Sequence, residues 1–412
     1  MKPLHADYDV VIIGAGMVGA TLACALTHGA TDPARILLVE ASPVRSGKAE
    51  QPGFDARSTV LSAGSVDYLA RLGLWQGMAP RAAAIHHIEV SDQGHFGGVH
   101  LHDSDAGVEA LGHVVENAAI GQALNTALLA RSDFELCSPL QVTAVTPQPG
   151  AMQLALQSGD ETSAITAKLV VLAEGGRSGL LQQLGIHVNS ESYGQSAVIA
   201  NLALSRPHDG IAYERFTVKG PLALLPLLPH AGQHRVALVW THPQDDIASV
   251  MALDDTAFLA RLQQDCGQRA GTFTHVGIRA VFPLSLQVAE EQLRPRLALL
   301  GNVAHTLHPV AGQGFNLALR DAMALAANVR QSLAQQQDPG NFNRLQAWWS
   351  EVQQDQLRTI TFSDVMTRMF SSSNAALALV RKAGMIGLEL LPPLKQSLAR
   401  QAMGYHGAAV RL

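Results

Sequence analysis

A nearly continuous apolar run, Tyr8-Asp9-Val10-Val11-Ile12-Ile13, opens directly onto Gly14-Ala15-Gly16-Met17-Val18-Gly19, and this junction constrains the chain more than any other feature. A strand that is hydrophobic on both sides belongs inside a parallel sheet with both faces covered. Ala20 to Leu26 is small and helix-favouring, and Arg35 to Val39 reads as a second strand ending at Glu40. Strand, glycine loop, helix and strand in this order form a dinucleotide-binding unit. Gly14 permits the tight turn, Gly16 lets the backbone approach a pyrophosphate, and Gly19 lets helix pack on strand. The helix N-terminus then faces the diphosphate. Glu40 is placed to accept hydrogen bonds from the hydroxyls of an adenosine ribose and to repel a 2′-phosphate. FAD or NAD meets these requirements and NADP does not; this motif alone does not separate the first two.

Two later segments point to the flavin. Leu297-Ala298-Leu299-Leu300 reads as a buried strand, followed by Gly301-Asn302, then His308-Pro309 and Gly312-Gln313-Gly314-Phe315-Asn316. From Phe315 the pattern Leu317, Leu319, Met323, Leu325 predicts about four turns of helix packed on a sheet. Its start presents free backbone N–H groups at a positive helix end, a suitable place for the negative N1–C2 oxygen edge of a reduced flavin. Asn302 offers an amide to a ribityl hydroxyl. Between these segments, Leu169-Val170-Val171-Leu172 predicts a third buried strand, ending in Ala173-Glu174-Gly175-Gly176-Arg177.

Together these segments resemble the aromatic-hydroxylase flavoproteins of the para-hydroxybenzoate hydroxylase fold group. The match is longest through His308-Pro309 and Gly312 to Asn316, and departs at Asn302 and Glu174, where that class carries Asp. The resemblance implies that Glu174 lies at the pyrophosphate region, with Arg177 nearby, and that Arg57, Asn117 and Gln122 lie beside the cofactor. More narrowly, the chain resembles the ubiquinone-biosynthesis hydroxylases from Tyr8 to near Gly404. Particular marks are Arg215-Phe216-Thr217, Gly220 to Pro226, Ala304 to Asp321, Leu391 to Lys395 and Arg400 to Gly404.

That resemblance implies a reduced FAD that takes up oxygen as a C4a-hydroperoxide and hydroxylates a polyprenylated methoxyphenol. A transiently bound NAD(P)H or another donor supplies electrons, and the flavin rather than a side chain is the main catalyst. Pro309 would shape the oxygen-reacting face, and His308, or His305, would relay a phenolic proton. No second strand-linked GxGxxG and no Trp-x-Trp signature occur, which argues against a two-dinucleotide reductase or a halogenase. An NAD-dependent dehydrogenase leaves Gly301 to Asn316 unexplained. A flavin-fold accessory subunit of a quinone-synthesis complex, or a reductase or oxidase of the same fold, stays open.

The expected architecture is α/β: a Rossmann-like FAD-binding domain (residues 1–75, 100–185 and 283–345), an inserted antiparallel-sheet substrate domain (76–99 and 186–282) and a helical C-terminal region (346–412). A length of 412 residues with 47% hydrophobic and 15% charged residues supports a large core. The net charge of -5 and the lack of basic runs argue against a nucleic-acid partner. Cys24, Cys137 and Cys266, without CxxC spacing, read as buried thiols, with no zinc site or other metal. No signal-peptide pattern or membrane-spanning run is evident, so a cytoplasmic location is expected. Asn374 to Met403 is amphipathic and mildly basic, which suits either peripheral contact with the inner membrane face or packing against protein.

Overall fold

The computed structural model describes residues 4–29, 34–47, 51, 55, 57–93, 98–309, 312–371, 399–400 and 403–404. Phe54, Ala56, Val310, Ala311 and most of the amphipathic tail lie outside the described residues.

The first apolar run forms the strand Asp7–Ile13 and sits at the centre of an eight-stranded sheet. Ile36–Val39 and Glu161–Leu172 flank it in parallel, and Leu297–Leu299 and Glu135–Cys137 extend the parallel set outward. Val10, Val11, Ile12, Leu169, Val170 and Leu172 are wholly inaccessible to solvent. Each buried aliphatic side chain contributes about 1.5–3 kcal/mol of hydrophobic stabilisation, so these runs form the core that holds the loops at their ends.

One face of this sheet is covered by the helices Met17–Thr27 and Gln313–Ala334, which pack on each other. The latter runs about two turns beyond the expected length, because Ala322, Met323, Ala326 and Val329 continue its buried side. The hairpin Gln141–Gln148/Ala151–Ser158 carries the other apolar cluster and continues antiparallel into Glu161–Leu172. All three cysteines are buried and free.

A nine-stranded sheet contains Val188–Leu204, Gln233–Pro243, Gly220–His230 and Ile211–Thr217 as neighbours. Its pairing is antiparallel except where Ile211–Thr217 runs parallel to His87–Asp92. Ala280–Ala289 and Gly98–His102 belong to the same sheet and run through positions 283 and 100, where domain boundaries were expected. Hydrogen bonding along each ladder keeps both strands whole. The outward face of this sheet, with Leu222, Leu224, Leu238 and Trp240, is sealed by the helix Asp255–Cys266. A small sheet of Ser58–Ser62, Gly112–Glu116 and Ala82–Ile85 lies between the two large sheets. The 30-residue helix Phe342–Ser371 packs against Gln313–Ala334 and reaches the nine-stranded sheet.

Candidate FAD and substrate site

Parallel register gathers the glycine motifs. Ile13 lies beside Leu172 on one side and Val39 on the other, and Leu172 lies beside Leu299. The residues that follow, Gly14, Glu40, Ala173-Glu174 and Gly301-Asn302, therefore emerge together at the carboxyl edge of the sheet, where open α/β sheets bind ligands.

The three N-terminal glycines do different work. Gly14 adopts φ +103°, and a Cβ there would lie 2.6 Å from the Glu174 Cα. A Cβ on Gly19 would lie 1.9 Å from the Gly14 carbonyl oxygen, so the helix rests on the loop backbone. Around Gly16 nothing lies within 4 Å of a Cβ position, and Gly16 caps the helix Met17–Thr27 without any side-chain bond to its first turn. Glu40 is buried; its Oε2 accepts from the Ala15 N–H at 2.7 Å and its Oε1 from the Ser42 N–H at 2.8 Å. Each oxygen retains a lone pair for a further donor.

Glu174 folds the next loop: its Oε2 accepts from the N–H groups of Arg177 at 2.8 Å and Ser178 at 3.2 Å, while its Oε1 is buried with no partner. Arg177 itself is exposed. Asn302 occupies the turn Gly301–Val303 with an exposed side chain, next to Gly176, and Gly301 sits against Val18 of the first helix.

At the third motif, Gly312 adopts φ +60° and approaches Val60 so closely that a Cβ would come within 2.9 Å of the Val60 Cβ. It opens the helix Gln313–Ala334 with no side-chain cap, and Gly314 faces open space. Asn316 is buried, and its side chain has no capacity left for a cofactor. Its Oδ1 accepts from the Ser62 N–H and the Ser65 hydroxyl, and its Nδ2 donates to the carbonyls of Val60 and Gly312. It shapes the loop instead. Gln313 is buried and Phe315 packs on the core beneath the first helix.

Arg57 lies between the two large sheets: Asp55 receives its Nε, and its guanidinium stands 4.8 Å from the centroid of the Phe282 ring. Asn117 is held beside it, accepting from the Thr59 hydroxyl at 2.7 Å and donating its N–H to the Arg57 carbonyl. Gln122 is engaged by Arg81.

The two histidines do not match the relay expected of them. His305 is locked into the core by Asp321, 3.0 Å away, which also accepts from Gln356. His308 is buried against the edge of the Tyr193 ring, and burial pushes its imidazole down to about 4. It is neutral near pH 7 and a weak proton acceptor. Pro309 is exposed, and its carbonyl accepts from the Gly312 N–H at 3.0 Å.

Ser62, Ser65, Thr59 and Asp321 were not singled out, because they meet Asn316, Asn117 and His305 only through tertiary contact, while Asp55 holds Arg57 from two residues away. His87, Glu89 and His100 approach one another on the outward face of the nine-stranded sheet, but Arg269 stands 3.6 Å from Glu89 there. No helix among the described residues is long and apolar enough to cross a membrane.

Two uncapped helix starts, an open approach at Gly16 and Gly314 and an orphaned carboxylate oxygen on Glu174 fit a diphosphate-linked, ring-bearing cofactor spanning the sheet edge. The fold and this site define a flavoprotein of the Rossmann-like class. Residues 7–347 match the model of the FAD binding domain family. A ubiquinone hydroxylase, UbiL, of Rhodospirillum rubrum is 33% identical over 96% of this chain and 89% of its own length. The human mitochondrial ubiquinone biosynthesis monooxygenase COQ6 is 30% identical, over 95% of this chain and 91% of its own. The 3-demethoxyubiquinol 3-hydroxylase of Escherichia coli is 29% identical, over 96% and 98%. The chain belongs to this family of FAD-binding ubiquinone-biosynthesis hydroxylases.

Among solved structures, p-nitrophenol 4-monooxygenase PnpA of Pseudomonas putida aligns with a TM-score of 0.74 at 14% identity, covering 99% of this chain and 100% of that one. PqsL of Pseudomonas aeruginosa aligns with a TM-score of 0.74 at 20% identity, over 92% and 99%. At such identities the likeness concerns the fold.

Proposed function

We propose that this protein is an FAD-dependent monooxygenase that hydroxylates the ring of a polyprenylated methoxyphenol in ubiquinone biosynthesis. Family membership supports the reaction class, and the shape of one sheet face supports the substrate. On the nine-stranded sheet, Asn201 donates to Glu116 and Phe282 meets Arg57, so the face that bears them looks toward the cofactor loops. Along that face Ile199, Val239, Ala223 and Leu225 are only partly buried, whereas Val198, Leu238, Leu222 and Leu224 on the reverse are fully buried. A row of apolar side chains that keeps accessible surface on the side turned to the cofactor loops is the surface against which a lipid-tailed ring would lie.

In this reading the parallel sheet carries FAD and the nine-stranded sheet carries the substrate. The loops at Gly14–Gly16 and Glu174 hold the diphosphate, Glu40 the adenosine ribose, and Asn302 the ribityl chain. The Gln313–Ala334 helix start faces the flavin ring, with Arg57, Asn117 and Gln122 at its flank. When bound, FAD supplies the reduction of O2 and the transfer of one oxygen atom to the ring. The protein's residues orient the ring and exclude water from it. The reading includes a transiently bound NAD(P)H donor. It also includes peripheral contact of the 374–403 tail with the membrane or a quinone-biosynthesis complex.

Mass spectrometry of quinone intermediates in cells lacking this chain tests the proposal. Accumulation of a prenylated methoxyphenol lacking one hydroxyl is expected, and an unchanged intermediate profile or a different accumulated ring pattern would overturn it.

A further inference from the structure

The row on the cofactor-facing side of the nine-stranded sheet holds one carboxyl group. Side chains at alternate positions share a face, and directly paired residues in neighbouring strands share it too. Ala280 pairs with Ile199, Ile199 with Val239, Val239 with Ala223, Ala223 with Glu214 and Glu214 with Val90, with no bulge along this line. Glu214 therefore faces the same side as Asn201 and Phe282, which touch the cofactor-side residues Glu116 and Arg57.

It stands in an interior strand, Ile211–Thr217, whose backbone is paired on both sides. Its neighbour Arg215 points to the reverse face, donating to the Asp265 carbonyl at 2.8 Å. Asp92 is the ionisable residue one row along on the same face, two positions beyond Val90. No described residue hydrogen-bonds or pairs with Glu214. Its side chain is partly buried, and its neighbours on this face, Ala212 and Phe216, pack in an apolar cluster that includes Met366 of the helix Phe342–Ser371. Burial alone pushes its carboxyl up to about 8. An isolated carboxyl in apolar surroundings costs stability unless something else binds it.

Resting on the ring-hydroxylation reading above, we infer that Glu214 receives the hydroxyl of the phenolic substrate. In its ionised form, which predominates only above about pH 8, the carboxylate accepts the hydroxyl's hydrogen bond and takes its proton. The O–H bond of the phenol breaks, the new O–H bond forms on the carboxyl, and the ring keeps the electron pair as phenolate. Phenolate is the more electron-rich form and the better partner for electrophilic oxygen. The raised affinity of Glu214 for protons brings it closer to that of a phenol, near 10, which favours transfer in the reacting complex. The remaining apolar row accommodates the ring and its tail.

The test uses the FAD-loaded full chain at a pH of about 9, where Glu214 is ionised and a phenol is not, with 2-geranylphenol and its O-methyl ether as probes. Binding is read from perturbation of flavin absorbance, and turnover from hydroxylated product against hydrogen peroxide released. Wild type is expected to bind the phenol at least about tenfold tighter than the ether, one good hydrogen bond to a charged group being about 1.5–3 kcal/mol. Glu214→Leu is expected to erase that preference and divert reducing equivalents to peroxide. Glu214→Gln, which keeps the shape and a neutral acceptor but takes no proton, is expected to hold part of the binding preference and lose at least about tenfold in kcat. Both variants should retain FAD, since no cofactor-loop residue is touched. Wild-type preference and turnover in both variants would overturn the role of Glu214 while leaving the hydroxylase reading standing. Wild type that neither prefers nor hydroxylates the phenol would remove the hydroxylase reading, and the inference with it.

Discussion

The carboxylate of Glu40 accepts the Ala15 backbone N–H at 2.7 Å, tying the end of the second strand to the glycine loop that follows the first. The acidic residue thus builds the loop and keeps a lone pair on each oxygen for a further donor, the ribose in the proposed reading. Glu40→Ala should weaken FAD binding by about tenfold or more, since bonds to a charged acceptor contribute about 1.5–3 kcal/mol each. Titration of apoprotein with FAD measures this, and an unchanged Kd would refute the assignment.

Gly14 and Gly16 should fail in different ways. A Cβ at Gly14 meets the Glu174 backbone at a left-handed φ, so Gly14→Ala should lower the Tm of the apoprotein. Gly16 has room for a methyl group, so Gly16→Ala should keep the apoprotein Tm while reducing FAD affinity by at least about tenfold, through crowding of the pyrophosphate. Equal thermal losses in the two variants would contradict this division.

Asn316 makes four internal hydrogen bonds in a buried position. Asn316→Leu leaves several buried polar groups unpaired, at about 1–3 kcal/mol each when no water reaches them. Denaturant unfolding of the apoprotein should show a loss of at least about 2 kcal/mol, independent of cofactor. A deficit present only with FAD would instead mean that Asn316 touches the cofactor.

His242 and His308 are buried, and burial holds both imidazoles down to about 4. Above the ordinary histidine value near 6.5 both are neutral, folded or unfolded, and contribute no pH dependence. As pH falls from about 6.5 to about 4, the unfolded chain takes up protons that the folded chain refuses, so stability falls, by at most about 1.4 kcal/mol per pH unit for each histidine. His242→Phe, which keeps ring packing against Trp240, should flatten this slope in pH-dependent unfolding. An identical slope in the variant would show that His242 is not responsible.

Much of the parallel sheet and its glycine turns was legible because their physics is local. The four buried strands, the glycine turns and the helix starts each need only a few consecutive residues, and each strand ends and each helix starts within a residue or two of its expected place, although the strand ending at Leu172 begins eight residues earlier, at Glu161. The partners that claim the side chains of Asn316 and His305, Ser62 and Ser65 for one and Asp321 for the other, were not legible because they lie far off in sequence or around a loop. Glu214 was not singled out at all. In a strand segment of mixed polarity, nothing marks an outward-looking carboxylate from one on the cofactor-facing side.

Sequence by itself determined that strand, glycine loop and helix would form a dinucleotide site, because backbone freedom at Gly14 and the apolar runs around it act between near neighbours. Only the tertiary structure decided which glycines bear on backbone and which leave space. Gly14 and Gly19 press on the loop and strand end, whereas Gly16 and Gly314 face open room. It also decided that Glu214 shares a face with Ala223, Val239 and Ile199, since the face a side chain occupies follows from strand register across the whole sheet, and register is set by pairing between segments distant in the chain.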